Sequence, residues 1–195
     1  VWETTYHVVI EFATSFLTSD GEIVELPIYC TAHSSEPRKS SFAALSFLWQ
    51  AGFGQGDLVI PHPLFFSEYF NGYFYRGVQG QTLYYYLGRK NYAVIEDVVA
   101  KAAAWFAKLH NAPTAGAENF NPENSRIETV FPGLSYVLEK INRAYPNLHE
   151  PCKKIYEMIN QKEKAYFINN NQRYLIHGDA HAKNIIKMSE DKIAV

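Results

Sequence analysis

One stretch of the chain has residue types and spacing suited to a defined reaction. It reads Tyr174-Leu175-Ile176-His177-Gly178-Asp179-Ala180-His181-Ala182-Lys183-Asn184-Ile185-Ile186-Lys187. Asp179 and Asn184 stand five positions apart on a polar segment between two apolar runs. Phosphoryl transfer needs such a pair: a carboxylate to accept the proton of an attacking hydroxyl, and an amide oxygen on the magnesium ion that holds nucleotide phosphates. The runs at 174–176 and 185–188 read as strands on either side of a loop. On this reading Asp179 is the base and Asn184 the metal ligand. His181 is either a phosphate contact or a packing residue. His177, at a strand end, reads as a structural group that hydrogen-bonds the loop backbone. His177 and His181 also have the HxxxH spacing of a zinc pair, but that geometry needs a helix, and Gly178 with strand-like flanks argues for a loop.

The elements that must position this loop can be read in chain order. Residues 6–17 form a run rich in β-branched and aromatic side chains, Ser19-Asp20-Gly21 is turn chemistry, and 23–31 is the returning strand. Ser34-Ser35-Glu36-Pro37 reads as a helix start. The helix should reach about Gln50, bury Phe42, Leu45, Leu48 and Trp49, and stop before Gly52. Pro61 and Pro63 then break the chain, and 64–66 and 73–78 read as strands that turn at Asn71-Gly72. Helices follow at 83–87 and 95–110, the second with a stripe of Val98, Val99, Ala102, Trp105, Phe106 and Leu109. Residues 112–128 read as a long loop, 134–144 and 148–167 as helices, and Asn169-Asn170-Asn171 as a turn. Residues 185–188 and 192–195 form a last hairpin around Ser189-Glu190-Asp191. Gly52-Phe53-Gly54-Gln55-Gly56 is not a phosphate loop, because it follows a helix instead of opening one.

Composition narrows the function classes. With 195 residues, 47% of them hydrophobic, the chain can bury a sizeable core in one large domain or two small lobes. A formal net charge of -2 gives no basic balance for nucleic acid or an anionic membrane surface. No apolar run reaches membrane-spanning length, and no signal-peptide pattern opens the sequence. Two cysteines, Cys30 and Cys152, are not a disulfide framework, so a cytoplasmic location is expected.

The segment 174–187 resembles the catalytic loop of the aminoglycoside phosphotransferase and choline kinase family, small-molecule relatives of the protein kinases. Protein kinases carry His-Arg-Asp, four further residues and Asn; His177-Gly178-Asp179 and Asn184 keep that spacing. The order hairpin, helix, hairpin, then helices is also similar to that fold. The resemblance implies an α+β, protein-kinase-like architecture of two lobes. Residues 1–78 would be a small antiparallel-sheet lobe with one helix, roofing the nucleotide. Residues 79–195 would be a mainly helical lobe with the catalytic loop at 177–184. Arg76, Gly77 and Val78, continuing into Gln79 and Gly80, would form the hinge whose backbone holds adenine. ATP or GTP and Mg²⁺ are the implied cofactors, and a small hydroxylated molecule is the implied acceptor, with no nucleic acid or membrane partner. The ending Lys108-Leu109-His110 is similar to the central helix of these enzymes, with His110 as a core or capping residue.

The sequence departs from the family pattern in two places. Kinases set a lysine on the third strand and pair it with a glutamate on the next helix. Here the strand positions read Cys30, Thr31 and Ala32, and the helix positions Lys39, Ser40 and Ser41. Arg38 or Lys39 is then expected to reach the phosphates from the helix start. The second magnesium ligand, an aspartate, is expected just past Ile193-Ala194-Val195, and a first strand with a Gly-rich loop ahead of the sequence. The chain is therefore read as cut at both ends and inactive alone. The expected activity of its parent is transfer of a γ-phosphate to a small-molecule hydroxyl. The missing Lys and Glu keep open the alternative of a pseudokinase or nucleotide-binding module.

Overall fold

The computed structural model describes residues 7–34, 38–117, 127, 133–169 and 173–195. The chain divides into two compact units, Val1–Phe120 with Tyr174–Val195, and Asn121–Arg173. It is a mixed α+β protein whose strands pair mostly antiparallel.

The first unit opens with one long bent hairpin. β1 (His7–Phe12) continues as β2 (Ser15–Leu17), and the chain returns as β3 (Ile23–Glu25) and β4 (Ile28–His33). Gly21 makes the turn at φ +84, a region that favours glycine, and donates its N–H to Thr18 O at 3.0 Å. The break between β1 and β2 splits the single strand read at 6–17. Leu26 N–H still reaches Thr14 O at 2.9 Å across the break, so register passes through it.

Helix α1 (Arg38–Leu48) continues into a wider turn, Trp49–Phe53, which Gly52 ends at φ +97. The expected cap at 34–37 falls largely on residues 35–37, outside those described. After β5 (Leu58–Val59), β6 (His62–Ser67) and β7 (Gly72–Arg76) form the second hairpin. Asn71 turns it at φ +41 and donates from Nδ2 to His33 O at 2.7 Å, tying the turn to the end of β4. The first sheet has the order β1-β4-β7-β6, with every pair antiparallel. Pro63 does not break the chain as expected. It lies inside β6, an edge strand, where a missing N–H is tolerated, and the register shifts just after it.

A second sheet gathers segments from across the sequence. It runs β5, β10 (Ile193–Ala194), β9 (Ile186–Lys187) and β8 (Gln81–Thr82), with β5 and β10 parallel. Thr82 caps α2 (Leu83–Gly88) by accepting Tyr85 N–H at 3.2 Å. α3 (Tyr92–His110) buries Val98, Ala102, Trp105 and Leu109, a stripe at steps of four, three and four. Val99 is 48% exposed, so it does not belong to the core-facing stripe expected of it; it lies one residue, about 100°, around the helix. Phe53, Ile60, Leu83, Ile185 and Ile193 complete the core around α3. Trp105 is its centre: it is 1% exposed, meets Phe53 edge-on at 5.3 Å, and donates from Nε1 to Val59 O at 2.9 Å.

The second unit contains α4 (Leu134–Ala144), a short 3₁₀ turn at Pro146–Leu148, and α5 (His149–Asn169) packed against α4. Ile127 bonds both helices, accepting Leu134 N–H at 3.2 Å and donating its own N–H to Glu163 Oε1 at 2.8 Å. Much of the loop read at 112–128, and the turn read at 169–171, lie outside the described residues. No helix among the described residues is long and apolar enough to cross a membrane.

Candidate active site

The polar loop is held from both sides by the core. Residues 173–177 form no strand, contrary to the reading of 174–176, because no neighbouring segment pairs with them; Leu175 instead packs against the core. On the far side Ile185 is buried and leads into β9. Two backbone bonds fasten the start of α2 to this segment: Leu83 N–H to Ile185 O at 2.8 Å and Tyr84 N–H to Ala182 O at 3.0 Å.

His177 anchors the loop. Its ring meets Trp105 at 5.9 Å and Phe106 at 6.2 Å, both edge-on. Its Nδ1 accepts the N–H of Asp179 at 3.3 Å, which fixes the proton of the neutral ring on Nε2. Burial lowers its pKa, Asp179 opposes that effect, and His181 adds to it. Gly178 follows at φ +81, where the chain turns outward.

Asp179 and Asn184 come together as the spacing predicts. Asn184 Nδ2 donates to Asp179 O at 3.0 Å and to its Oδ2 at 3.2 Å. With Nδ2 turned to Asp179, Asn184 Oδ1 is the amide atom available to a cation. Asn184 N–H also closes a turn onto His181 O at 2.9 Å. His181 accepts Lys183 N–H on Nδ1 at 3.1 Å, and its Nε2 stands 3.6 Å from Asp179 Oδ2. Asp179 is thus flanked by an amide and an imidazole while its carboxylate stays largely exposed.

Beside the loop is a cavity of about 420 Å³, within the range of small-molecule sites. His177, Lys183, Asn184 and Ile186 line it, together with Val9, Tyr29, Tyr73 and Tyr75 of the first sheet and Gly77 and Val78 that follow β7. The register explains the aromatic side: Tyr29 pairs with Tyr75, and Thr31 with Tyr73 and Val9, so these residues share one sheet face. Tyr29 and Tyr75 stack at 5.7 Å and 19°. Burial raises the pKa of both Tyr29 and Tyr73.

The residues read as a hinge leave the sheet after Arg76. Gly77 N–H bonds Pro27 O at 2.8 Å, and a Cβ on Gly77 would stand 2.4 Å from Tyr29 Cε2. Gly80 passes closer still: its Cβ would fall 2.2 Å from Lys187 O. Glycine is therefore required where this segment threads between the tyrosine face and β9. Arg76 does not line the cavity; its guanidinium lies 5.8 Å from the Phe16 ring centroid. Asp179 and His181 stand on the loop next to the lining residues without lining the cavity themselves.

The departures noted in the sequence acquire positions. Cys30, Thr31 and Ala32 are buried in β4, with no cation among them. Lys39 is turned to Glu68 at 3.3 Å in an exposed pair. Arg38 lies near enough to Tyr73 to lower that hydroxyl's pKa against burial. Among the described residues, no three or more His, Cys, Asp or Glu side chains converge as a metal-binding group. Sequence reasoning missed Lys183 and the tyrosine face. The alternation Tyr29/Thr31 and Tyr73/Tyr75 was a usable signal for the face, and the place of Lys183 beside Asn184 was one for the lysine. Comparisons with protein-family models, curated proteins and solved structures found no match.

Proposed function

We propose that these residues belong to a phosphotransferase of the protein-kinase-like, two-lobed kind, which moves the γ-phosphate of ATP or GTP to a hydroxyl of a small molecule. One observation carries the reading. Asp179 and Asn184 are hydrogen-bonded to each other, and Asn184 lines a cavity that Gly77 and Val78 also line. This adjacency supports a nucleotide with its base toward Gly77 and its phosphates toward Asn184. Asp179 orients the acceptor hydroxyl and takes its proton; His181 supports the carboxylate from the side.

Mg²⁺ usually keeps several waters and takes only one or two protein oxygens beside substrate phosphates. Asn184 Oδ1, the amide atom left over when Nδ2 bonds Asp179, would supply one such oxygen, and does not suit a metal held by protein alone. When bound, the ion would neutralise charge on the transferring phosphoryl group.

A second reading has its own support. The buried Cys30, Thr31 and Ala32 leave β4 without the phosphate-clamping lysine, which favours a module that binds nucleotide without transferring phosphate. Phosphate transfer by the full-length protein, assayed over a panel of hydroxylated acceptors, separates the two. Transfer that falls roughly 10²–10⁴-fold in Asp179→Asn supports the enzyme. Nucleotide binding without transfer supports the module. Transfer that survives the substitution would sink the role given to Asp179.

A further inference from the structure

We propose that Lys183 is the phosphate-binding cation of the cavity, acting from the loop in place of a strand lysine. The proposal rests on the nucleotide reading of the cavity. Four observations lead to it. Among the described residues, Lys183 is the only Lys or Arg lining the cavity, and no Asp or Glu lines it. It directly precedes Asn184, at the end of the cavity where the reading sets the phosphates. The Nζ is held 5.1 Å above the Tyr84 ring, a cation–π contact that stations the ammonium at the loop. Tyr84 is itself fixed, since its N–H bonds Ala182 O at 3.0 Å. Finally, β4 carries no Lys or Arg, and Lys39 faces Glu68.

The physical argument is one of charge. A nucleoside triphosphate brings several negative charges to a pocket otherwise lined by tyrosines, glycine, aliphatic residues, proline, an amide and the His177 imidazole, whose pKa burial lowers. Without a fixed cation the phosphates would give up hydration for little return. An exposed lysine at the mouth can swing from the Tyr84 ring to a phosphate oxygen without a buried charge ever going unpaired. A strand lysine would be immobile by comparison. The ligand class selected is accordingly a nucleotide with at least two phosphates, in preference to a nucleoside.

The test measures dissociation constants of the full-length protein for adenosine, ADP and ATP, with Mg²⁺ present, in the wild type, Lys183→Met and Lys183→Arg. Lys183 is exposed, so the variants should fold, which thermal melts check. The proposal expects Lys183→Met to weaken ADP and ATP about 10- to 100-fold, the range of a charge-assisted contact, and to leave adenosine unchanged. Lys183→Arg should recover most of the loss. Equal weakening of adenosine, or unchanged ATP affinity, would overturn the assignment of Lys183 while the nucleotide site stood. Failure of the wild type to bind any of the three, or guanosine, GDP and GTP in their place, would remove the nucleotide reading, and this proposal with it.

Discussion

Gly80→Ala tests the packing that forms the site. The added methyl would fall 2.2 Å from Lys187 O, 2.8 Å from Lys187 C and 2.9 Å from Ile186 Cγ2. Ordinary carbon–oxygen contacts lie near 3.3–3.6 Å, so backbone must separate from backbone by about 1 Å. Neither side yields easily, because Gln81 pairs with Lys187 and Lys187 pairs with Ile193 in the same small sheet. Overpacking of this kind costs about 1–3 kcal/mol, and the φ of +154 adds about 1–2 kcal/mol for a residue with a Cβ. A total of roughly 2–5 kcal/mol should lower the urea midpoint by about 1–2.5 M at a slope near 2 kcal/mol per molar. Gly88→Ala is the internal control. No atom lies within 4 Å of a Cβ there, so it should be neutral or stabilising by up to about 1 kcal/mol. Urea unfolding followed by tryptophan fluorescence reads both. A Gly80→Ala midpoint within error of the wild type would refute the claim that the segment 77–80 is pressed against β9.

Trp105→Ala should destabilise by about 3–5 kcal/mol, while Trp105→Phe should cost about 1–3 kcal/mol for leaving Val59 O unpaired; chemical denaturation distinguishes them. His177 has a lowered pKa in the folded chain, so between its folded value and about 6.5 the unfolded state binds more protons. Its packing is fully effective above pH 6.5 and loses stability as pH falls, and denaturation midpoints of His177→Gln between pH 7.5 and 5 should show a flatter decline than the wild type. Asp97 is held below its usual value by hydrogen bonds from Lys101 and then Lys187, the latter at 2.9 Å. Its contribution is therefore present above about pH 3.9 and lost as pH falls through the folded pKa. Asp97→Asn should remove that part of the acid sensitivity, measured by midpoints between pH 5 and 3.

The helices were largely legible, because a long apolar period signals itself. α4 spans residues 134–144 as read, and α3 differs from its reading in three extra N-terminal residues and in the exposure of Val99. The bent hairpin was legible from Ser19-Asp20-Gly21 and the β-branched runs. Of the second sheet only the β9–β10 hairpin, read at 185–188 and 192–195, was legible; β5, β8 and their pairing with it were not. Its strands are two residues each, too short for any alternation, and the β5–β10 pair joins segments far apart in sequence. The run at 174–176 has strand-like residues but no partner, and pairing, not composition, makes a strand. In the loop, the Asp179–Asn184 contact could be anticipated from spacing alone. The orientation of Lys39 could not, since it depends on Glu68, 29 residues away.

The most direct test of the central claim is the Mg²⁺ dependence of ATP binding, measured by titration calorimetry on the wild type and Asn184→Ala. The account predicts that the wild type binds ATP more tightly with Mg²⁺ than without, and that Asn184→Ala loses most of that difference while adenosine binds both proteins equally. Binding that ignores Mg²⁺ in the wild type, or an Asn184→Ala protein that keeps the full Mg²⁺ effect, would contradict it.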